Sequence, residues 1–340
     1  MNLSVVGRYA LSCAATVMLA GCGGSQPPVG APDAMPQTSA IATHADRGKS
    51  WMLPEARGRN LLYVATGDNV YVLSYPRGKL VGTLGVNSSG LCSNRQGDVF
   101  VFSGYGLLEY AHGGTKALRT LHSGDIPLGC AVDPSTNNLA VTQEASGAGE
   151  VAIFRHSKGT PKWYRDPDIY TYGLCGYDDR GNLFVDGSGS GNFIAELPQG
   201  SSIFTNYALG KRYDVYGGIQ WDGQRMTLAN PTTHQVFRLR FGKTSFKVTG
   251  STRIVGWQND YSGEWPYVQT WIQDGTFIAQ SSTLAELGLW SYPAGGKARS
   301  ILGPFGSGSI SIYGITVSVA PHSPRASAPR NGFANRGALH

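Results

Sequence analysis

Apolar and polar positions along this chain follow one another in short bursts, with none of the three-and-four spacing of an amphipathic helix. A brief apolar run leads into Asp or Asn followed by Gly. A second apolar run follows, and a third ends in an aromatic or Leu before a Gly-Lys turn. The clearest copies read GCAVDPSTNNLAVTQ then EVAIFRHSKGTPKWY from Gly129, and LCGYDDRGNLFVDG then NFIAELPQGSSIFTNY from Leu174. A third reads IQWDGQRMTLAN then QVFRLRFGKTSFKV from Ile219, and weaker copies begin near Leu91 and Tyr267. A recurrence of about 40 to 50 residues with four strands per copy predicts an all-β fold, a β-propeller of four-stranded antiparallel blades.

A sixth copy is split between the ends of the chain. SIYGITVSVAP from Ser311 has the form of a first strand, with Gly314 and Ile315 standing where Gly129 and Cys130 stand in their blade, and then the pattern stops. Its continuation is GRNLLYVATG from Gly58, followed by NVYVLSYPRGK and KLVGTLG. Joining the C-terminal inner strand to the three N-terminal outer ones closes a six-bladed ring and leaves no open inner edge. The expected blades cover 91–127, 128–172, 173–217, 218–265 and 266–306, with a composite blade from 307–320 and 58–86. Near-continuous apolar strands such as Val99 to Phe102 and Val236 to Leu239 are expected where both sheet faces are covered. The propeller is thus predicted over 58–320, between a tether at 23–57 and a basic tail at 321–340.

The first 22 residues carry Arg8, an apolar segment from Tyr9 to Ala20 too short to span a bilayer, and LAGC at Leu19 to Cys22. The segment resembles the lipobox signal of bacterial lipoproteins. The resemblance implies cleavage before Cys22 and acylation of that residue. Gly23, where Asp marks inner-membrane retention in many such proteins, points to the outer membrane. The Pro-, Ser-, Ala- and Gly-rich stretch from Gly23 to Arg57 is then a tether holding the protein to the bacterial cell envelope.

Composition suits this plan, with 47 Gly, 15% charged residues and 11% aromatics serving tight hairpins and ring packing between blades. The net charge of +6 resides largely outside the blades: Arg8, the tether, and Arg325, Arg330 and Arg336 account for most of it, leaving the propeller near +1. No basic stripe is expected on the folded part, and no nucleic-acid partner.

Chemistry-bearing residues offer little. Cys92, Cys130 and Cys175 lie on first strands, where Leu and Ile take equivalent positions in other copies, so they read as buried thiols; a Cys130–Cys175 disulfide or a metal site are the alternatives. Asn94, Asp133, Asp178, Asp222 and Asp274 recur at one place in the repeat, and read as turn residues accepting backbone N–H groups. Among the histidines only His234 lies in a second-to-third-strand loop, without a partner for acid–base work. No cofactor is implied.

The phrase D-x-x-G-N-L-x-V, with Gly before the first strand, is similar to NHL-repeat and lactonase-like propellers over about 58–320. That superfamily includes streptogramin lyases, which use His and a metal, and gluconolactonase-like enzymes, which hold a divalent metal with Glu, Asn and Asp on inner strands. Here no first strand carries His, and none of the seven glutamates falls on one. Neither family's catalytic or metal residues carry over, and fold likeness alone does not confer their chemistry.

One propeller face is expected to receive the aromatic-rich loops KWYRDPDIYTYG, 162–173, and GWQNDYSGEWPYVQTW, 256–271. Trp163, Tyr170, Tyr172, Trp257, Tyr261 and Trp265, beside Arg165, Asp166 and Asp168, have the composition of a sugar or peptide site. Rings covering blade edges are the structural alternative. The sequence therefore suggests an outer-membrane lipoprotein whose propeller is a non-catalytic scaffold for a protein or glycan ligand. The alternative is a channel-sited metal-dependent hydrolase or lyase.

Overall fold

A computed structural model of the chain describes residues 49–144, 150–211, 213, 215, 217–257, 269–281, 286–305 and 312–321. The leader with Cys22, most of the tether, the tail from 322, and Tyr216, Tyr261 and Trp265 lie outside the described residues.

Six sheets form a β-propeller, each led by an inner first strand. Blade 1 runs through Leu91–Ser93, Val99–Ser103, Gly106–Tyr110 and Ala117–His122. Blade 2 uses Ile126–Val132, Leu139–Glu144, Glu150–Phe154 and Lys162–Tyr164. Blade 3 uses Ile169–Tyr177, Leu183–Gly189, Asn192–Leu197 and Thr205–Ala208. Blade 4 comprises Ile219–Trp221, Met226–Asn230, Gln235–Phe241 and Phe246–Val255, extended by the short parallel strand Gly296–Lys297. Blade 5 comprises Trp271–Gln273, Thr276–Gln280, Leu287–Ser291 and Ser300–Leu302.

The composite blade closes the ring as the repeat predicted. Gly314–Ser318 pairs antiparallel with Leu61–Ala65, from Leu61 opposite Ser318 to Ala65 opposite Gly314, and Val70–Ser74 and Leu80–Leu84 complete the sheet. It carries one strand more than expected. Trp51–Met52 pairs with Thr83 and Gly82, and the turn Pro54–Gly58 buries Ala56, so the fold begins at Trp51 and the tether gives up residues 51–57. Trp51, Met52 and Leu53 are the only large apolar side chains at that end of the tether, and this pairing leaves all three half-buried, Met52 and Leu53 packing against the core between the composite blade and blade 1.

Residue alternation explains why LLYVA carries no polar position. Leu62 and Val64 face blade 5, packing with Ile278, Leu289 and Phe305. Leu61, Tyr63 and Ala65 face blade 1, packing with Leu91, Val99 and Val101. Each aliphatic side chain buried this way stabilises the ring by roughly 1.5–3 kcal/mol.

Around the axis the first strands approach so closely that side chains are excluded at set points. A Cβ on Gly129 would lie 3.0 Å from the Leu174 Cα, one on Gly176 2.6 Å from the Ile219 carbonyl oxygen, and one on Gly314 2.7 Å from the Gly90 Cα. Gly129 and Gly314, which open their copies of the repeat, and Gly176, which stands within the first strand of blade 3, are thus packing requirements between neighbouring blades.

Polar hooks add a second link. The Tyr75 hydroxyl donates to the Gln273 carbonyl of blade 5 at 2.9 Å, and the Tyr292 hydroxyl to Asp222 of blade 4 at 2.8 Å. In both cases the aromatic that ends a third strand reaches the hairpin of the preceding blade. Arg238 joins the second hook, its Nε 2.6 Å from Asp222 and its guanidinium over the Tyr292 ring. Burial pushes the Asp222 carboxyl up, yet the N–H groups of Arg225 and Gln224, the Tyr292 hydroxyl and Arg238 together hold it below its ordinary value. At the closure His112 contacts the Ser318 hydroxyl through Nδ1 and the Arg59 carbonyl through Nε2.

Deleting 312–321 should remove the inner strand, expose the edge of Leu61–Ala65, and abolish a single cooperative melt, whereas trimming 323–340 should leave the melting temperature unchanged. Thermal unfolding followed by circular dichroism checks both outcomes.

Candidate functional site

The turn residues behave as structural groups. Asn94 accepts the Asp98 N–H at 2.8 Å, Asp133 that of Ser135 at 2.8 Å, and Asp178 those of Arg180 and Asn182 at 2.9 Å. Asp222 accepts from Gln224 and Arg225. Asp274 differs: it has a left-handed φ of 47° and accepts from the Gln273 side-chain amide. Among the described residues no three His, Cys, Asp or Glu side chains converge as a metal site would need. His234 is exposed on its loop, near the Trp257 ring.

The expected aromatic face divides. Lys162–Tyr164 is the fourth strand of blade 2 and Ile169–Tyr177 the first of blade 3, so the loop shrinks to residues 165–168. Tyr170 is an extra residue in the ladder, because Ile169 pairs with Gly189 and Thr171 with Ser188. That bulge turns Tyr170 outward, 57% exposed, and sends Tyr172 into the core, where its hydroxyl accepts the Asp166 N–H at 2.6 Å. Trp163 is 41% exposed, its ring lying over Gly124 in the link between blades 1 and 2. Trp257, expected at the surface, is only 2% exposed and packs edge-on to Phe277 between blades 4 and 5. Tyr172 and Trp257 are therefore core residues, and exposure on this face is retained by Trp163 and Tyr170.

A concavity also lies in the central channel, a cavity of about 330 Å³ lined by the first strands. Where those strands begin, the Gln269 side-chain oxygen accepts from the N–H groups of Leu91 and Ile315, joining blade 5 to blade 1 and the composite blade. Farther along, the Gln220 amide both donates to the Ile272 carbonyl at 2.9 Å and accepts its N–H at 2.7 Å. Towards the hairpin end the lining includes Tyr177 and Trp221, with Asn94, Arg95 and Gln273, and Trp271 joins it from the start of the first strand of blade 5. Among the described residues no carboxylate or imidazole lines the channel. The two indoles stand on first strands, Trp221 directly before Asp222 and Trp271 three residues before Asp274, where the repeat predicts packing positions. Their signal was Trp in IQWDG and WIQDG, where other copies carry smaller residues.

The cysteines also line this channel. Cys92 and Cys130 form a disulfide, and Cys175 is the free, buried thiol, its pKa pushed up by desolvation. Neither three buried thiols nor a Cys130–Cys175 bridge is present. Alignment on the turn residue placed Cys92 one step away from Cys130 along their blades, but the bond crosses between blades, where adjacent first strands bring the two Cα atoms to 5.8 Å.

Charge is less even than the total suggested. Residues 218–257 of blade 4 carry six Lys or Arg against Asp222 alone, so a basic stripe does lie on the folded part.

No family model matches the chain, and no curated protein matches it. Solved structures do. A protein of unknown function from Bacteroides caccae aligns at 13% identity and TM-score 0.55, over 76% of this chain and 99% of that one. The nidogen/laminin complex aligns at 13% identity and TM-score 0.59, over 77% and 99%. The β-propeller domain of Myceliophteria thermophila Cps50 (Swd1) aligns at 12% identity and TM-score 0.54, over 83% and 100%. At such identities the likeness establishes the fold, a six-bladed β-propeller, and nothing about its ligand.

Truncating Trp257 to Ala should cost about 3–5 kcal/mol of stability. Trp163→Ala and Tyr170→Ala should each cost no more than about 1 kcal/mol. Denaturant melts of the three variants separate core rings from surface rings.

Proposed function

We propose that the chain is a bacterial envelope lipoprotein, anchored through Cys22, whose propeller is a non-catalytic scaffold binding a neutral glycan at the hairpin end of its channel. The observation that carries this reading is the lining itself. Trp221 and Trp271 offer half-buried ring area, and Arg95 and Gln273 offer hydrogen-bonding groups, in a cavity with no carboxylate or imidazole among its described lining residues. Apolar sugar faces stack on rings while hydroxyls pair with amides, so uncharged polar ligands suit such a surface. A hydrolase or lyase would need a proton-transferring group or a metal at the reacting atoms.

The reading keeps the repeat's kinship with NHL-repeat and lactonase-like propellers, here as scaffold without their metal chemistry. The LAGC sequence supports the anchor, and the absence of Asp after Cys22 supports the outer membrane. Acylation holds such a protein at the membrane more firmly than one chain would, since a single acyl chain binds only reversibly.

Two experiments test the halves separately. Labelled palmitate should enter the wild type and not Cys22→Ala; equal labelling of both would remove the anchor. For the site, titration with an array of neutral oligosaccharides should quench tryptophan fluorescence, and Trp221→Ala should weaken the responding ligand by roughly 2 kcal/mol. An array that is silent throughout, or binding indifferent to Trp221→Ala, would remove the channel site.

A further inference from the structure

The fourth strand of blade 4 differs from its counterparts. Phe246–Val255 spans ten residues, while the fourth strands of the other blades span three to six. Only its last two residues are covered on the outer side, by the parallel pairing of Ile254 and Val255 with Gly296–Lys297. Among the described residues the outer edge from Phe246 to Thr252 has no strand partner. Lys247, Val248, Thr249 and Ser251 are all exposed.

The edge is ready for pairing. The Ile254 N–H donates inward to the His234 carbonyl, and antiparallel alternation then directs the Ser251 N–H outward. The composite blade shows a fourth strand of this propeller accepting a further one, since Trp51–Met52 pairs with Leu80–Leu84.

Charge gives the edge a preference. Arg240 stands opposite Lys247 in the ladder, and both are exposed, as are Lys243 in the turn beside them and Arg253 and Lys297 at the far end of the strand. Apart from Arg238, which pairs with Asp222, the blade's cations on these two strands have no ion-pair partner among the described residues. Like charges directly opposite each other destabilise a strand pair, and an anionic side chain between them would reverse the sign. Beside the start of the strand, a shallow cavity lined by Ala208, Tyr213, Phe246 and Val248 offers room for an apolar side chain.

We infer that the outer edge of blade 4 binds an extended acidic peptide segment of a partner protein, which adds as a further β-strand beside Phe246–Thr252. Backbone hydrogen bonds supply the pairing, alternate Glu or Asp side chains meet Arg240 and Lys247, and one apolar side chain enters the cavity beside Val248. Lysines on an exposed strand also deter pairing with neutral edges, so the same charges make the edge selective. The site is separate from the channel and stands or falls independently of the glycan reading.

The test uses the full chain and a fluorescein-labelled decapeptide alternating Glu and Thr with one central Phe. Saturable binding by fluorescence anisotropy is expected, weakening with added salt and slowing amide exchange in residues 246–252. Arg240→Glu with Lys247→Glu should weaken it about tenfold or more. Ser251→Pro should also weaken it, and so should N-methylation of alternate peptide amides, which leaves the peptide's charge intact and the protein unaltered. Three results overturn the inference: no binding of the peptide, equal binding of the N-methylated peptide, or heparin binding tightly while the peptide does not. The second would mark a charge patch without strand addition, and the third a polyanion surface.

Discussion

The structure depends on five residue pairs, Leu61–Ala65 against Gly314–Ser318, that join the two ends of the folded chain. A propeller blade buries both sheet faces against neighbours, so a ring missing one inner strand would leave two blades with uncovered faces and one sheet with an open edge. The cost would spread beyond the composite blade, because Leu62 and Val64 complete the core of blade 5 and Leu61 and Tyr63 that of blade 1. The closing pair is therefore set by packing on both sides, and Trp51–Met52 covers the outer edge of the same sheet. His112 brings blade 1 onto this closure through Ser318 and Arg59; burial pushes its imidazole down from its ordinary value, against the pull of the Arg59 and Ala56 carbonyls.

Close approach at the axis forces a second set of choices. First strands drawn together over Gly129, Gly176 and Gly314 leave backbone groups that ordinary ladders do not reach, and side chains satisfy them. Leu174 falls in a bulge of the blade 3 ladder, and its N–H is taken up by the buried Asp186 carboxylate. Thr142 bonds the Gly129 and Gly173 carbonyls, while Gln269 and Gln220 span blade boundaries with their amides. Much of the channel's polar lining follows from this work: apart from the buried Asp186 carboxylate, it is amides and hydroxyls that satisfy peptide groups near the axis, without the desolvation cost of a charge.

The repeat made the fold legible because each blade restates the same apolar strands, Asp turn and glycine, and six restatements outweigh any local ambiguity. What the repeat could not convey was side-chain direction where one blade departs from the others. Tyr170 and Tyr172 are two residues apart and would share a face in a regular strand; one inserted residue puts one in water and the other in the core. Trp257 looked like a loop ring because it follows a fourth strand, yet a large apolar ring at a blade junction is more favourable inside. Cys92 and Cys130 are likewise related across blades, a relation that alignment along blades hides. The channel ring Trp221 stands beside Asp222, whose turn role the repeat made legible, whereas Asp274, the turn residue after Trp271, departs from that role.

Net charge was the least informative summary of all, because a propeller partitions its surface by blade. A total near +1 for the folded part describes no blade in particular when residues 218–257 hold six cations and one anion. Among the described residues, Arg238 alone of the cations on the two outer strands is neutralised in place, by an Asp that also caps its own hairpin. The others sit on exposed positions of a long edge strand, where a cross-strand Arg–Lys pair opposes folding slightly and stabilises nothing within the blade. Such an arrangement carries a small cost to stability within the blade, which an acidic strand added at this edge, as inferred above, would offset.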